Sequence, residues 1–110
     1  MYAQIIIDKI IYCAYSNYMA ITYDANKSNR NIAERGLSFD RVADFDFDTA
    51  LFAVDDRHDY SETRIVAIGY LDSRLHVLCF VETESGIRVI SFRKANSREV
   101  KDYETQKATD

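Results

Sequence analysis

The residues best equipped for chemistry in this 110-residue chain are arginines set among acids. The segment Asp55-Asp56-Arg57-His58-Asp59-Tyr60-Ser61-Glu62-Thr63-Arg64 combines cations, carboxylates, an imidazole and a phenol, and Arg88 and Arg93 follow within one apolar run. Guanidinium groups near a sheet interior are costly unless a carboxylate or a phosphate answers them. The constellation is therefore either an anion site or a structural ion-pair network with Asp56, Asp59 and Glu62. Strand alternation groups Arg88 with Ile90 and Phe92, and Arg93 with Ile87, Val89 and Ser91. Unless a bulge intervenes, only one of these two arginines can line a given site.

Other clusters are weaker. Asp44-Phe45-Asp46-Phe47-Asp48 has the rhythm of a calcium loop, but Thr49 stands where an EF-hand needs Gly, and Asp55 where it needs a bidentate Glu. Phe45 and Phe47 are expected to pack inward while the acids solvate a helix end. His58 and His76 lack ligand spacing, so zinc is not expected. Cys13 and Cys79 are isolated in apolar stretches, which suits two buried thiols in a reducing, cytoplasmic compartment rather than a disulfide.

Composition bounds the classes. With 47% hydrophobic and 13% aromatic residues the chain has the material for one packed domain. It has no Pro and only three Gly, too dispersed for a dinucleotide fingerprint or a P-loop. A net charge of -4 argues against nonspecific coating of nucleic acid. The charge is uneven: Leu37 to Glu62 holds eight acids against two arginines, whereas Gly86 to Lys101 holds five bases against Glu99. Such polarity suits a local anion site, or simply two solvated faces of opposite sign.

The elements that must position these residues read clearly after Met19. Ile21 to Tyr23 is a short strand, Asp24 caps a helix running to about Arg35, and Gly36 fits a left-handed C-terminal residue. Ser38 caps a second short helix with Phe39, Val42 and Ala43 on one buried stripe. Strands follow at Leu51 to Val54, Arg64 to Leu71, Arg74 to Val81 and Ile87 to Arg93, with Asp72-Ser73 as a tight turn. Ser97 caps a last helix to about Gln106. The prediction is an α+β fold, with two N-terminal helices packed on one face of an antiparallel sheet and a C-terminal helix.

Met1 to Tyr18 is apolar and aromatic, interrupted by Asp8-Lys9, with no basic segment before it. It lacks the pattern of a signal peptide and is too short for a membrane span. Two readings stand: an extension upstream of a functional start at Met19, or an additional strand or helix. The domain itself is expected over 19–110.

Three ordered blocks resemble the BrnT family of type II toxins. They are Tyr23-Asp24-Ala25-Asn26-Lys27 with Asn31 and Arg35-Gly36-Leu37-Ser38-Phe39; Asp56 to Arg64 followed by Ala67-Ile68-Gly69; and Arg88 to Ala95 followed by Arg98-Glu99 and Tyr103. The family's Lys-His before the glycine is Glu34-Arg35 here, which removes one acid–base group. Ser61 stands for the Gly after the Tyr60 position, and Phe92 for the usual Ala before Arg93.

The resemblance implies a RelE-like fold and a metal-independent, cofactor-free endoribonuclease that inhibits translation. It implies neutralisation by a cognate antitoxin with a ribbon-helix-helix DNA-binding domain, with a homodimer inside that complex as one arrangement. Cleavage of this kind uses the RNA 2′-hydroxyl against the adjacent phosphate, so the protein must stabilise phosphoryl charge and move protons. Lys27, Arg57, Arg64 and Arg93 would hold the phosphate. Glu62 or His58 would act as base, or Glu62 would only orient Arg64. Tyr60 would stack on a base, and Arg57, Arg88, Lys94 and Arg98 would extend the RNA contacts. The antitoxin is expected to approach Arg93, Lys94, Arg98 and Lys101. The alternative is a non-catalytic module that keeps the toxin fold and only the antitoxin-binding surface.

Overall fold

A short strand with β-branched and aromatic residues, Ala20–Tyr23 (β1), is the first element of a computed structural model that describes residues 19–56 and 61–109. Helix α1 (Ala25–Arg35) follows, a 3₁₀ helix spans Phe39–Asp44, and four strands come next: β2 (Leu51–Val54), β3 (Ile65–Leu71), β4 (Arg74–Glu82) and β5 (Gly86–Lys94). Helix α2 (Ser97–Ala108) ends the fold. The Met1 to Tyr18 segment lies outside the described residues.

The ends of α1 are set locally. The Asp24 carboxylate accepts from the Asn26 and Lys27 amides at 2.8 and 3.4 Å, and Gly36 closes the helix at φ 68°, with its N–H on the Ile32 carbonyl. The helix is then fastened by polar pins. Asn31 Nδ2 donates to the carbonyls of Leu37 and Phe92, both at 2.9 Å, and Ser28 Oγ accepts from the Phe39 amide at 3.0 Å. These buried amide and hydroxyl groups satisfy backbone atoms that would otherwise lose water without a replacement.

The second helix departs from expectation. It is a 3₁₀ helix, capped by Ser38 through the Asp40 amide, with Phe39 and Val42 buried but Ala43 exposed. In a 3₁₀ helix side chains eclipse at i and i+3, so the i+4 residue leaves the stripe.

Sheet order is β1-β5-β4-β3-β2. All neighbours are antiparallel except β1, which runs parallel to β5 with Ile21 opposite Ile87. The sheet is thus mixed rather than antiparallel. The long connection through α1 and the 3₁₀ helix lets the chain enter the sheet at one edge and resume at the other. Asp72 and Ser73 both take positive φ (52° and 71°), the primed-turn geometry that matches strand twist between β3 and β4.

The helices do not share one face. Phe39 and Val42 join Phe45, Phe47, Phe52, Ala67, Phe80, Val89 and Phe92 in the larger core, on the side covered by the 3₁₀ helix and the loop after it. There Phe45 and Phe47 pack inward as expected, and Asp46 is engaged by its own loop, accepting from the Asp48 amide and the Thr49 hydroxyl. Helix α2 covers the other side, where Tyr103 joins Leu51, Ile68, Leu75, Val77 and Ala95. Tyr103 Oη donates to the Thr49 carbonyl at 2.9 Å. The N-cap of α2 is Asn96 rather than Ser97: its side chain accepts from the Glu99 amide while the Glu99 carboxylate accepts from the Asn96 amide, each at 2.9 Å.

Candidate functional site

The decisive local feature is one extra residue in β5. Along β4, Cys79 pairs with Ser91 and Phe80 with Val89, so Ile90 is inserted between two partners that are adjacent on the opposite strand. This bulge resets the alternation. Ile87, Val89 and Phe92 all enter the larger core, and Arg88, Ser91 and Arg93 share the opposite face. The grouping of Arg88 with Phe92 is corrected by this register shift, the bulge being the exception that the alternation argument left open.

A second consequence is testable. Deleting Ile90 leaves Arg88, Val89, Ser91, Phe92 and Arg93 in regular alternation on the faces they already occupy. The variant should fold with a loss of only about 1–2 kcal/mol, read by denaturant unfolding. Complete loss of folding would show that the bulge itself is needed.

On that face a groove of about 380 Å³ opens beside α2. Its floor is apolar, made by Ala53, Val66, Val77 and Cys79, and its rim carries Asp55, Asp56, Ser91, Arg93, Glu99 and Asp102. Arg93 makes a bidentate pair with Glu99, Nη1 and Nη2 each 2.8 Å from a carboxylate oxygen, and Nη1 also donates to the Lys94 carbonyl at 3.2 Å. Glu99 therefore caps α2 and holds Arg93 with the same carboxylate.

A second cationic cluster stands further along the sheet. Glu62 accepts from Arg88 Nη2 at 2.7 Å and lies 3.8 Å from Arg64 Nη2. Arg88 pairs with Val81 and Arg93 with Val77, four residues apart on β4, or about 13 Å of strand. The arginines thus form two clusters rather than one cradle.

The remaining candidates are dispersed. Lys27 lies on α1 in an adjoining depression that meets the groove at Ser91. Lys94 alternates with Arg93 and faces the other side, opposite His76. Arg98 is exposed on α2. Arg57, His58 and Tyr60 lie outside the described residues. Among the described residues no group of three or more His, Cys, Asp or Glu is placed to hold a metal ion, and no helix is long and apolar enough to cross a membrane.

Sequence reasoning missed Glu99 and Asp55. Glu99 had a signal, since Asn96-Ser97-Arg98-Glu99 has capping-box spacing. Asp55, buried with its amide on the Arg64 carbonyl at 2.8 Å, had none beyond its place at the end of β2.

Electrostatics fix one protonation state. The Arg93 guanidinium holds the Glu99 carboxyl below its ordinary value of 4.5, opposed by burial and helped by the Asn96 amide. A depressed carboxyl contributes stability that is present above its unfolded value and lost as pH falls through the folded one. Burial lowers the His76 imidazole from 6.5, so its contribution is full above that pH and declines as pH falls toward the depressed value. Stability should therefore fall in two stages below pH 6.5, and Glu99→Gln should flatten only the stage below 4.5 in a melting series against pH.

These blocks of sequence now sit on a defined frame. A family model described as the ribonuclease toxin BrnT of type II toxin–antitoxin systems matches residues 23–99. The chain belongs to the BrnT family. The match runs from Tyr23, the last residue of β1, through both arginine clusters to Glu99. No curated protein matches the chain. As a member of the BrnT family it has an antitoxin as the expected partner class, and RNA cleavage is the activity of the family.

Proposed function

We propose that this BrnT-family chain is a metal-independent endoribonuclease with a RelE-like arrangement, acting in the groove between β5 and α2. The observation that supports this most is the bulge at Ile90, which brings Arg88 and Arg93 to one face with Glu62 and Glu99 already in contact with them. Two cationic clusters about 13 Å apart suit two phosphates of one RNA strand better than a single phosphate. In this account Arg93 stabilises the charge that develops on the scissile phosphate, and Arg64 and Arg88 hold a neighbouring one. Glu62, bridging two guanidinium groups, orients them. His58 remains the candidate base, with Tyr60 and Arg57 on the same segment as contacts for the RNA.

Each cluster already holds a carboxylate, so the incoming phosphate must compete with Glu99 and Glu62 for the same donors. That competition also favours the second reading, a module that retains the fold and the antitoxin surface without cleavage. Met1 to Tyr18 is placed outside the toxin domain in this proposal. Induced expression separates the readings: growth and protein synthesis should stop on induction and recover when a cognate ribbon-helix-helix antitoxin is co-expressed. Continued synthesis at full protein level would favour the non-catalytic module.

A further inference from the structure

Beyond the end of β1, no strand among the described residues lies beside the outer edge of β5 from Ile90 to Lys94, where Asn31 takes the Phe92 carbonyl, and the Gly36–Leu37 loop faces that edge across a cleft. The cleft has a volume of about 390 Å³ and is lined by Arg35, Leu37, His76, Arg93 and Lys94. A second depression of about 350 Å³ shares Leu37, His76 and Lys94 and adds Arg41, Arg74 and Asp72. Each is the size of a small-ligand site, for which about 300–1,000 Å³ is usual.

The charge there is opposite in sign to that of the groove, whose lining sets Asp55, Asp56, Glu99 and Asp102 against Arg93. Asp72 is taken by Arg41 at 2.7 Å, and Arg93 by Glu99. Arg35 donates to the Asn31 amide oxygen at 2.9 Å, and its carboxylate contact is a loose 3.8 Å approach to Glu34. Among the described residues Lys94 and Arg74 have no carboxylate partner. Arg35, Lys94 and Arg74 thus line the two joined depressions with Asp72 as their one lining acid, itself held by Arg41, in a chain of net charge -4, an arrangement that calls for an external anion.

The floor is of a different kind. His76 is buried, with its ring 5.5 Å from Phe92 and Nδ1 2.8 Å from the Arg74 carbonyl. A carbonyl only accepts, so Nδ1 carries the proton and donates it to that bond, which leaves Nε2 of the neutral ring as an acceptor. With half-buried Leu37 the His76 ring gives the cleft floor an apolar lining with one hydrogen-bond acceptor, which suits the edge of a nucleobase better than an inorganic anion. Arg93 lines both this cleft and the groove, so one strand can pass over the β5 edge from one to the other.

We propose that this cleft binds the nucleotide of single-stranded RNA next to those held in the groove, with Lys94, Arg35 and Arg74 on its phosphate and the Leu37–His76 surface against its base. The assignment rests on the ribonuclease reading for the direction of the strand, but the binding can be measured without cleavage. The probe is a set of 2′-O-methyl RNA oligomers of increasing length, which lack the nucleophile, titrated into the full chain and into Arg35→Gln/Lys94→Gln while fluorescence anisotropy is followed. Both positions are exposed, and a melting curve checks that the variant folds.

The parent should bind longer oligomers more tightly, and the variant should lose about tenfold or more on the long ones, with the loss growing with length. The salt dependence of log K should become shallower by about 0.7, the slope of one phosphate contact on a single strand. Equal affinity of parent and variant at every length overturns the proposal. So does a variant that loses only antitoxin affinity, since the cleft would then be a protein surface. If the parent binds through the cleft but cleaves no RNA, the proposal stands and the ribonuclease reading falls. If the parent cleaves and the variant binds RNA as the parent does, the ribonuclease reading stands and the cleft falls.

Discussion

Arg93→Ala lowers the rate of RNA cleavage by about 10²–10³, or about 2.7–4 kcal/mol in barrier terms, the loss expected when one preorganised donor to a developing oxyanion is removed. Two effects act together. The bidentate donor is lost, and the Glu99 carboxylate it neutralised is left in the groove to repel the phosphate. The fold should persist, because the Asn96 capping box that anchors Glu99 does not involve Arg93. Arg93→Lys should recover only part of the rate, since an ammonium cannot reproduce the two parallel bonds. Arg88→Ala becomes informative for a new reason. With both arginines on one face, its loss frees Glu62 beside Arg64, so cleavage should slow rather than stay unchanged. Single-turnover kinetics on a defined RNA reads all three variants, and an Arg93→Ala protein as fast as the parent would make the clusters structural.

Phe80→Ala should produce the largest loss of stability, about 3–5 kcal/mol. Phe80 is fully buried in the middle of β4, its ring edge-on to Phe47 at 6.3 Å, and it pairs with Val89 at the bulge. Nothing nearby can collapse into the space without moving the phenylalanine cluster of the larger core. For a domain of this size each kcal/mol lowers the melting temperature by about 4–8 °C, so the midpoint should drop by tens of degrees. Thermal unfolding followed by circular dichroism checks this. Because Cys79, the next residue, forms the groove floor, activity should be lost together with structure. A midpoint within a few degrees of the parent would show that this strand is not the centre of the core.

Much of the frame was legible because its signals are local. Asp24 and Gly36 end α1 by hydrogen bonds that the sequence carries on its face, and Asp72-Ser73 specifies its turn within two residues. What failed depended on partners distant in the chain. A short apolar strand reads the same in either direction, so the parallel pairing of β1 with β5 was not visible. The 3₁₀ helix differs from an α-helix in a single position, Ala43.

The bulge matters most for the site. Ile87, Val89 and Phe92 are spaced by two and then three residues, the mark of one inserted residue, but apolar Ile90 conceals it by completing a second alternating series. The cationic groups proposed for the site were therefore assigned to the wrong faces of β5. Arg88 joined the site face, Lys94 left it, and Lys27 came only to its margin.

The central claim is that the arginines, without a metal ion, promote attack by the RNA 2′-hydroxyl. The measurement that tests it most directly is incubation of the purified chain with a single-stranded RNA and the matching all-DNA strand in the presence of a chelator, with the product ends determined. The account predicts that the RNA is cut to give a 2′,3′-cyclic phosphate end while the DNA, lacking the nucleophile, stays intact. Activity that disappears with chelator and returns with magnesium, or cleavage of both strands alike, would contradict it.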